Sequence, residues 1–190
     1  DPAPQPSDPV FARDEVQVMA SARLSLEAAA REAKALGVPA VILSDAMEGE
    51  ARAVGQVHAA LAREVALRDR PFAPPVVLLS GGETTVTLRG AGRGGRNTEF
   101  LLAFAAASEG LPLAALAADT DGIDGSEANA GAFADGETAA RLRALAQPAR
   151  SYLSRNDAWG AFNALGDLFS PGPTGTNVND FRAILIRSET

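Results

Sequence analysis

Cysteine is absent from this 190-residue chain, which excludes a disulfide framework and a thiolate metal site and leaves the redox compartment unconstrained. Lysine is nearly absent: of seventeen basic residues only Lys34 is a lysine. No G-x-x-x-x-G-K-[ST] string exists, so a Walker-type phosphate loop has nothing to build on. The one histidine, His58, lies mid-helix in QVHAAL, where a lone histidine reads as packing, as do Trp159 and Tyr152. Without a second histidine, a hydrolase triad or zinc centre lacks parts. No apolar run reaches transmembrane length. The formal charge of −7 argues against the basic face that nucleic acid or a membrane surface requires.

What is present is ordinary globular material, 46% hydrophobic and 22% charged, long enough to bury about 70% of its unfolded surface. The opening DPAPQPSDP holds four of the twelve prolines, a linker composition. Residues 1–10 are therefore expected to be an interdomain linker remnant, residues 11–190 one α/β domain, and the natural protein longer than this chain.

Apolar periodicity predicts strands at Val16–Met19, Ala40–Leu43, Val76–Leu79, Leu113–Ala118 and Ala183–Ile186. Helices are expected at Ala22–Leu36, Glu48–Leu67, Thr98–Ser108 (N-capped by Asn97), Asp135–Ala146 and Asp157–Leu165. Alternating strands and helices imply crossover connections. The expected fold is a three-layer α/β/α sandwich, Rossmann-like, with a largely parallel, mixed sheet.

Three loops carry the chemistry. The first, SGGETTVTLRGAGRGGRNTEF from Ser80 to Phe100, gathers six of eighteen glycines with Arg89, Arg93 and Arg96. Bare backbone amides and guanidinium forks suit phosphate or carboxylate; a hairpin with solvated arginines is the competing reading. Gly90, Gly92 and Gly95 also spell G-x-G-x-x-G. The preceding Thr85–Arg89 alternates polar and apolar, and Arg93 and Arg96 crowd the turn with charge, so a dinucleotide site is disfavoured. The second loop, Asp119-Thr-Asp121-Gly-Ile-Asp124-Gly125, has three carboxylates at the end of a buried strand, an invitation to Mg2+ beside a phosphate. Two solvated Asp-Gly turns are its plain alternative. The third, Gly172 to Asp180, carries Thr174, Thr176 and Asn177, which can line a polar pocket or an ordinary surface turn. Together, basic, acidic and neutral-polar loops suit phosphoryl transfer.

The strings SGGETTVTLRGAGRGGRNTEF, DTDGIDG and GPTGTNVNDFRAIL, in this order, closely resemble the C-terminal, MOFRL-type part of the glycerate 2-kinase family, also labelled hydroxypyruvate reductase. The likeness is strongest over residues 76–187. It implies a cytoplasmic enzyme that uses ATP and Mg2+ to phosphorylate D-glycerate to 2-phosphoglycerate, in a cleft completed by an N-terminal domain absent here. The fragment alone is then expected to be inactive. The family's G-G-R-N arginine falls on Arg96, the expected catalytic residue. Ser80, Gly81, Gly82, Glu83, Thr84, Thr85, Arg93, Asn97, Thr174, Thr176 and Asn177 are the expected substrate or phosphate contacts. Asp119, Asp121 and Asp124 are the expected metal ligands or, alternatively, contacts of the nucleotide ribose. Where the family usually reads R-N-Q-E, this chain has Thr98 in place of glutamine. A nicotinamide-dependent hydroxypyruvate reductase and a non-catalytic anion-binding domain remain the alternatives.

Overall fold

Ser21 starts the first helix by accepting the Leu24 amide on its hydroxyl at 3.2 Å, and the left-handed Gly37 (φ 81°) follows its end. This computed structural model describes residues 3–15 and 17–188. A single 3-10 turn at Pro9–Phe11 precedes α1 (Ala22–Ala35), β1 (Ala40–Glu50), α2 (Ala51–Arg68), β2 (Val76–Thr85) and α3 (Arg96–Ala107). Then come β3 (Leu113–Asp119), β4 (Gly131–Asp135), α4 (Thr138–Ala144), α5 (Ala149–Ser154), α6 (Ala158–Leu165), β5 (Leu168–Phe169) and β6 (Asp180–Ile186). Among the described residues no helix is long and apolar enough to cross a membrane.

The six strands form one mixed sheet in the order β1-β2-β6-β3-β4-β5. Helices cover both faces. The Gly81 backbone meets Leu26 of α1 on one side, while Ser80 meets His58 of α2 on the other. The main core lies on the α2 side, where Phe100, Leu101, Phe104, Leu113, Phe162 and Ile184 pack together. α3 reads FLLAFAAA and is buried almost all round, as an apolar helix without a polar stripe must be.

The α/β class and mixed sheet are as the sequence predicts, but the balance of the pairings differs. Among the described residues only β1 and β2 pair parallel; β6 enters antiparallel between β2 and β3, and β4 and β5 continue antiparallel. The crossovers do make β1, β2 and β3 point one way. A C-terminal strand inserted between the last two converts the neighbouring pairings.

Local expectations shift for similar reasons. Val16 lies outside the described residues, and Gln17–Met19 is not a strand: Val18 and Met19 are 66% and 80% exposed. Glu48–Glu50 ends β1 rather than starting α2. Ser80 to Thr85 is the second half of β2 and not a turn. Gly82 is needed there because its φ is +136° and a Cβ would sit 2.2 Å from the Met47 backbone, where β1 shifts register. The helix expected at Asp135–Ala146 is shorter and is preceded by β4; β5 and α5 are elements for which the sequence carried no expectation.

Candidate active site

The register of the sheet builds the site. Asp180, the first residue of β6, lies beside Gly82 of β2 and opposite Asp119, the last residue of β3. The carboxyl ends of β2 and β3 thus meet the start of β6 along one edge, where α/β folds place ligand chemistry. The N-terminus of α3 sits over that edge.

α3 begins after Gly95, which has no side chain to cap it, and Asp124 from the aspartate loop supplies the cap. Its Oδ1 accepts the Asn97 amide at 2.9 Å. Its Oδ2 accepts the Thr98 amide at 2.9 Å and the Thr98 hydroxyl at 2.8 Å. A carboxylate here satisfies two orphan N–H groups and complements the helix dipole. Burial pushes the Asp124 carboxyl up, against the pull of these three hydrogen bonds. Thr98 is wholly buried and committed to this cap.

Arg96 is the first residue of α3 and one-quarter exposed. Its Nε donates to Asp180 Oδ1 at 2.6 Å, its Nη2 to Asp119 Oδ2 at 2.7 Å, and its Nη1 to Glu83 Oε1 at 3.3 Å. Burial works against its charge, but the Asp180 hydrogen bond and the charges of Asp180, Asp119 and Glu83 prevail and raise its pKa. Burial also raises the Asp119 carboxyl, opposed by the Asp121 amide and by Arg96.

Asp180 is the hub. Besides Arg96 it accepts Asn97 Nδ2 at 2.9 Å, the Thr84 amide at 3.2 Å, the Thr84 hydroxyl at 3.3 Å, and Arg182 Nη2. Arg182 is fully buried, its guanidinium 4.8 Å from the Phe100 ring centroid. Among the described residues its Nε and Nη1 have no partner. Burial lowers its pKa, against the attraction of Asp180.

A cleft of about 400 Å3 opens beside this network, lined among others by Thr84, Thr85, Arg96, Glu99, Asp119 and Asn156. Its rim is the irregular stretch between β2 and α3. Asn156 fixes that rim, accepting the Arg89 and Gly90 amides on Oδ1 at 2.6 and 3.1 Å and donating from Nδ2 to the Thr87 carbonyl at 3.3 Å. Glu99 lies deeper, with Arg52 Nε and Asn156 Nδ2 donating to its Oε1. Burial raises its carboxyl, opposed by Arg52 and furthered by the charge of Glu50.

The three loops come together, but not every expected residue reaches the cleft. Arg96, Thr84, Thr85 and Asp119 line it. Ser80 and Asn97 are buried in hydrogen bonds to His58 and to Asp180. Gly81 and Gly82 are packed inside the sheet. Glu83 reaches the site only through Arg96. Arg93 stands apart: its guanidinium lies 3.7 Å from the Trp159 ring centroid and is paired with Glu127. Asn177 Nδ2 donates to Asp121 Oδ2 at 3.3 Å, and the Thr174 hydroxyl donates to the Thr120 carbonyl at 2.5 Å. The third loop, with the exposed Thr176, therefore braces the second.

The aspartates and the glycines of the first two loops are occupied within the chain itself. Asp119, Asp121 and Asp124 do not converge as a metal triad. Asp124 caps α3, Asp119 holds Arg96, and among the described residues no group of three or more His, Cys, Asp or Glu side chains could hold an ion. The G-x-G-x-x-G glycines, disfavoured as a dinucleotide fingerprint, face the chain's own atoms. A Cβ on Gly90 or Gly92 would meet the Arg155 backbone at 2.4–2.5 Å, and one on Gly95 would meet Asp124 at 2.4 Å. Close packing of the chain on itself explains them.

Asp180, Arg182, Asn156 and Arg52 had no assigned role in the sequence. The only signal for Arg182 was a charge on the apolar side of an alternating strand, DFRAILI. Asn156 sits in a left-handed turn, φ 55°.

Fold and site together define an α/β domain whose strand ends carry a buried arginine–carboxylate network beside an open cleft. The chain belongs to the MOFRL family, whose profile matches residues 76–180. A protein of Agrobacterium vitis provisionally named hydroxypyruvate reductase is 50% identical over 175 residues, 90% of this chain and 46% of that one. Glycerate 2-kinase of Pyrococcus horikoshii is 41% identical over 173 residues, 90% of this chain and 39% of that one. The crystal structure of a glycerate kinase from Thermotoga maritima superposes with a TM-score of 0.89 at 39% identity, covering 90% of this chain and 42% of that one. The chain spans less than half the length of these relatives.

Proposed function

We propose that this chain is the C-terminal part of an ATP-dependent glycerate kinase, a cytoplasmic enzyme converting D-glycerate to 2-phosphoglycerate. An N-terminal domain of the same protein completes the cleft, and the part described here is inactive alone. The observation that carries this reading is the placement of Arg96. Its Nε and Nη2 are locked by Asp180 and Asp119, while Nη1 meets only Glu83, 58% exposed and 3.3 Å away.

That edge is where an incoming anion replaces Glu83 without disturbing the rest. A guanidinium held in advance has no reorganisation left to do when charge develops on a transferring phosphoryl group or on the glycerate carboxylate. An arginine in the first role contributes on the order of 10³–10⁵ in rate. Thr84 and Thr85 offer hydroxyls on the same wall, Asn97 donates to Asp180 behind Arg96, and the loop of Thr174, Thr176 and Asn177 braces the aspartate loop.

Mg2+ neutralises nucleotide phosphates in such reactions and keeps several waters. Among the described residues no three carboxylates form a cage for it, and Asp119 and Asp121, at the end of β3, would offer it at most one or two oxygens beside the nucleotide phosphates. The competing nicotinamide-dependent reductase has a name among the relatives, but the glycines that suggested it are filled by the chain itself. The test is turnover by the longer protein, with glycerate and ATP in one assay and hydroxypyruvate and NADH in another. Phosphoglycerate formation supports the kinase; NADH oxidation without it supports the reductase. Anion binding with neither leaves a non-catalytic domain.

A further inference from the structure

We propose that Glu99 is the general base of this cleft, taking the proton from the substrate hydroxyl; this rests on the kinase reading above. Arg96 and Glu99 are three residues apart on α3 and so share one face of the helix. Both line the cleft. Glu99 is only 2% exposed, so it meets the cleft while almost wholly withdrawn from bulk water.

Its hydrogen bonds are lopsided. Arginine–carboxylate pairs are frequently bidentate, the fork closing both oxygens. Arg52 instead divides the fork, donating from Nε to Glu99 Oε1 and from Nη2 to the Leu153 carbonyl. Asn156 Nδ2 adds its bond, at 3.3 Å, to the same Oε1. Among the described residues Oε2 accepts nothing.

Of the other carboxylates near it, Asp119 is held by Arg96 and the Asp121 amide, and the exposed Glu83 does not line the cleft. Glu99 faces Arg52 from α2, Asn156 from the turn before α6, and the charge of Glu50 at the end of β1. Burial lifts its affinity for a proton above the ordinary glutamate range, the direction a base working near neutral pH requires. In the step, Oε2 removes the hydroxyl proton as the freed oxygen bonds to the γ-phosphorus. The bond from that phosphorus to the bridging oxygen breaks, ADP departs, and Glu99 later releases the proton to water.

The experiment uses the longer protein with glycerate and ATP. Glu99→Gln is expected to lower kcat by about 10²–10⁴, to leave both KM values within a few-fold, and to abolish the acid limb of the kcat–pH profile. Arg52→Met, which removes the cation opposing protonation, is expected to move that limb to higher pH. Full kcat with an unchanged acid limb in Glu99→Gln overturns the proposal. Should that variant not fold, an unmoved limb in Arg52→Met overturns it instead. Absence of turnover in the wild type removes the kinase reading and this one together, whereas normal turnover in both wild type and Glu99→Gln removes only this one.

Discussion

Arg96 and Asp180 lie 84 residues apart in sequence and 2.6 Å apart at Nε and Oδ1. Asp180 also holds the fully buried Arg182, so one carboxylate positions a cleft arginine and neutralises a core arginine. Removing one member of a buried pair leaves the other charge uncompensated, at a cost of about 3–5 kcal/mol. Asp180→Asn is expected to lose that much in urea denaturation. The double substitution Asp180→Asn, Arg182→Met is expected to recover a large part of it; equal loss in both contradicts the pairing.

Gly82 tests the sheet. Its φ of +136° and a Cβ position 2.2 Å from the Met47 backbone combine backbone strain with a clash no rotamer relieves. Gly82→Ala is expected to destabilise by about 3–5 kcal/mol, read as a lowered denaturation midpoint. A loss below about 1 kcal/mol contradicts the close approach of β1 and β2.

His58 makes stability depend on acid. Its Nδ1 lies 2.8 Å from the Val54 carbonyl and its Nε2 2.9 Å from the Ser80 hydroxyl. A carbonyl only accepts, so Nδ1 carries the proton and Nε2 accepts from Ser80. Burial, and behind it the charge of Arg182, lowers the pKa against the pull of the Val54 carbonyl. The folded state then binds fewer protons than the unfolded one below about pH 6.5, and stability falls as pH drops through that value, by up to about 1.4 kcal/mol per unit. The fall levels off below the depressed folded pKa. His58→Gln is expected to remove this slope from denaturation midpoints measured between about pH 6.5 and 5; an identical slope contradicts it.

Much of this was legible in the chain because it is written locally. The runs AVIL, VVLL and LAALAA each seed a strand, and Gly37 marks the end of α1. Arg96 and Asp119 stood out as polar residues abutting such runs, and the structure joins them at 2.7 Å. Ser80 to Thr85 misled because serine, glycine and threonine signal turns, whereas here the glycines admit a neighbouring strand. Asp180, Arg182 and Asn156 were invisible for a different reason. Their partners Arg96, Thr84 and Arg89 lie 84, 98 and 67 residues away, and no local pattern encodes which strand slips between two others.

The direct test of the central claim, that Arg96 is held ready for an anion in the cleft, is the turnover of Arg96→Ala in the longer protein with glycerate and ATP. The account predicts a fall of at least about a hundredfold, with the acid cluster of Asp119 and Asp180 still folded around the vacated position. A near-normal rate would contradict it and leave Arg96 as a strut between strands.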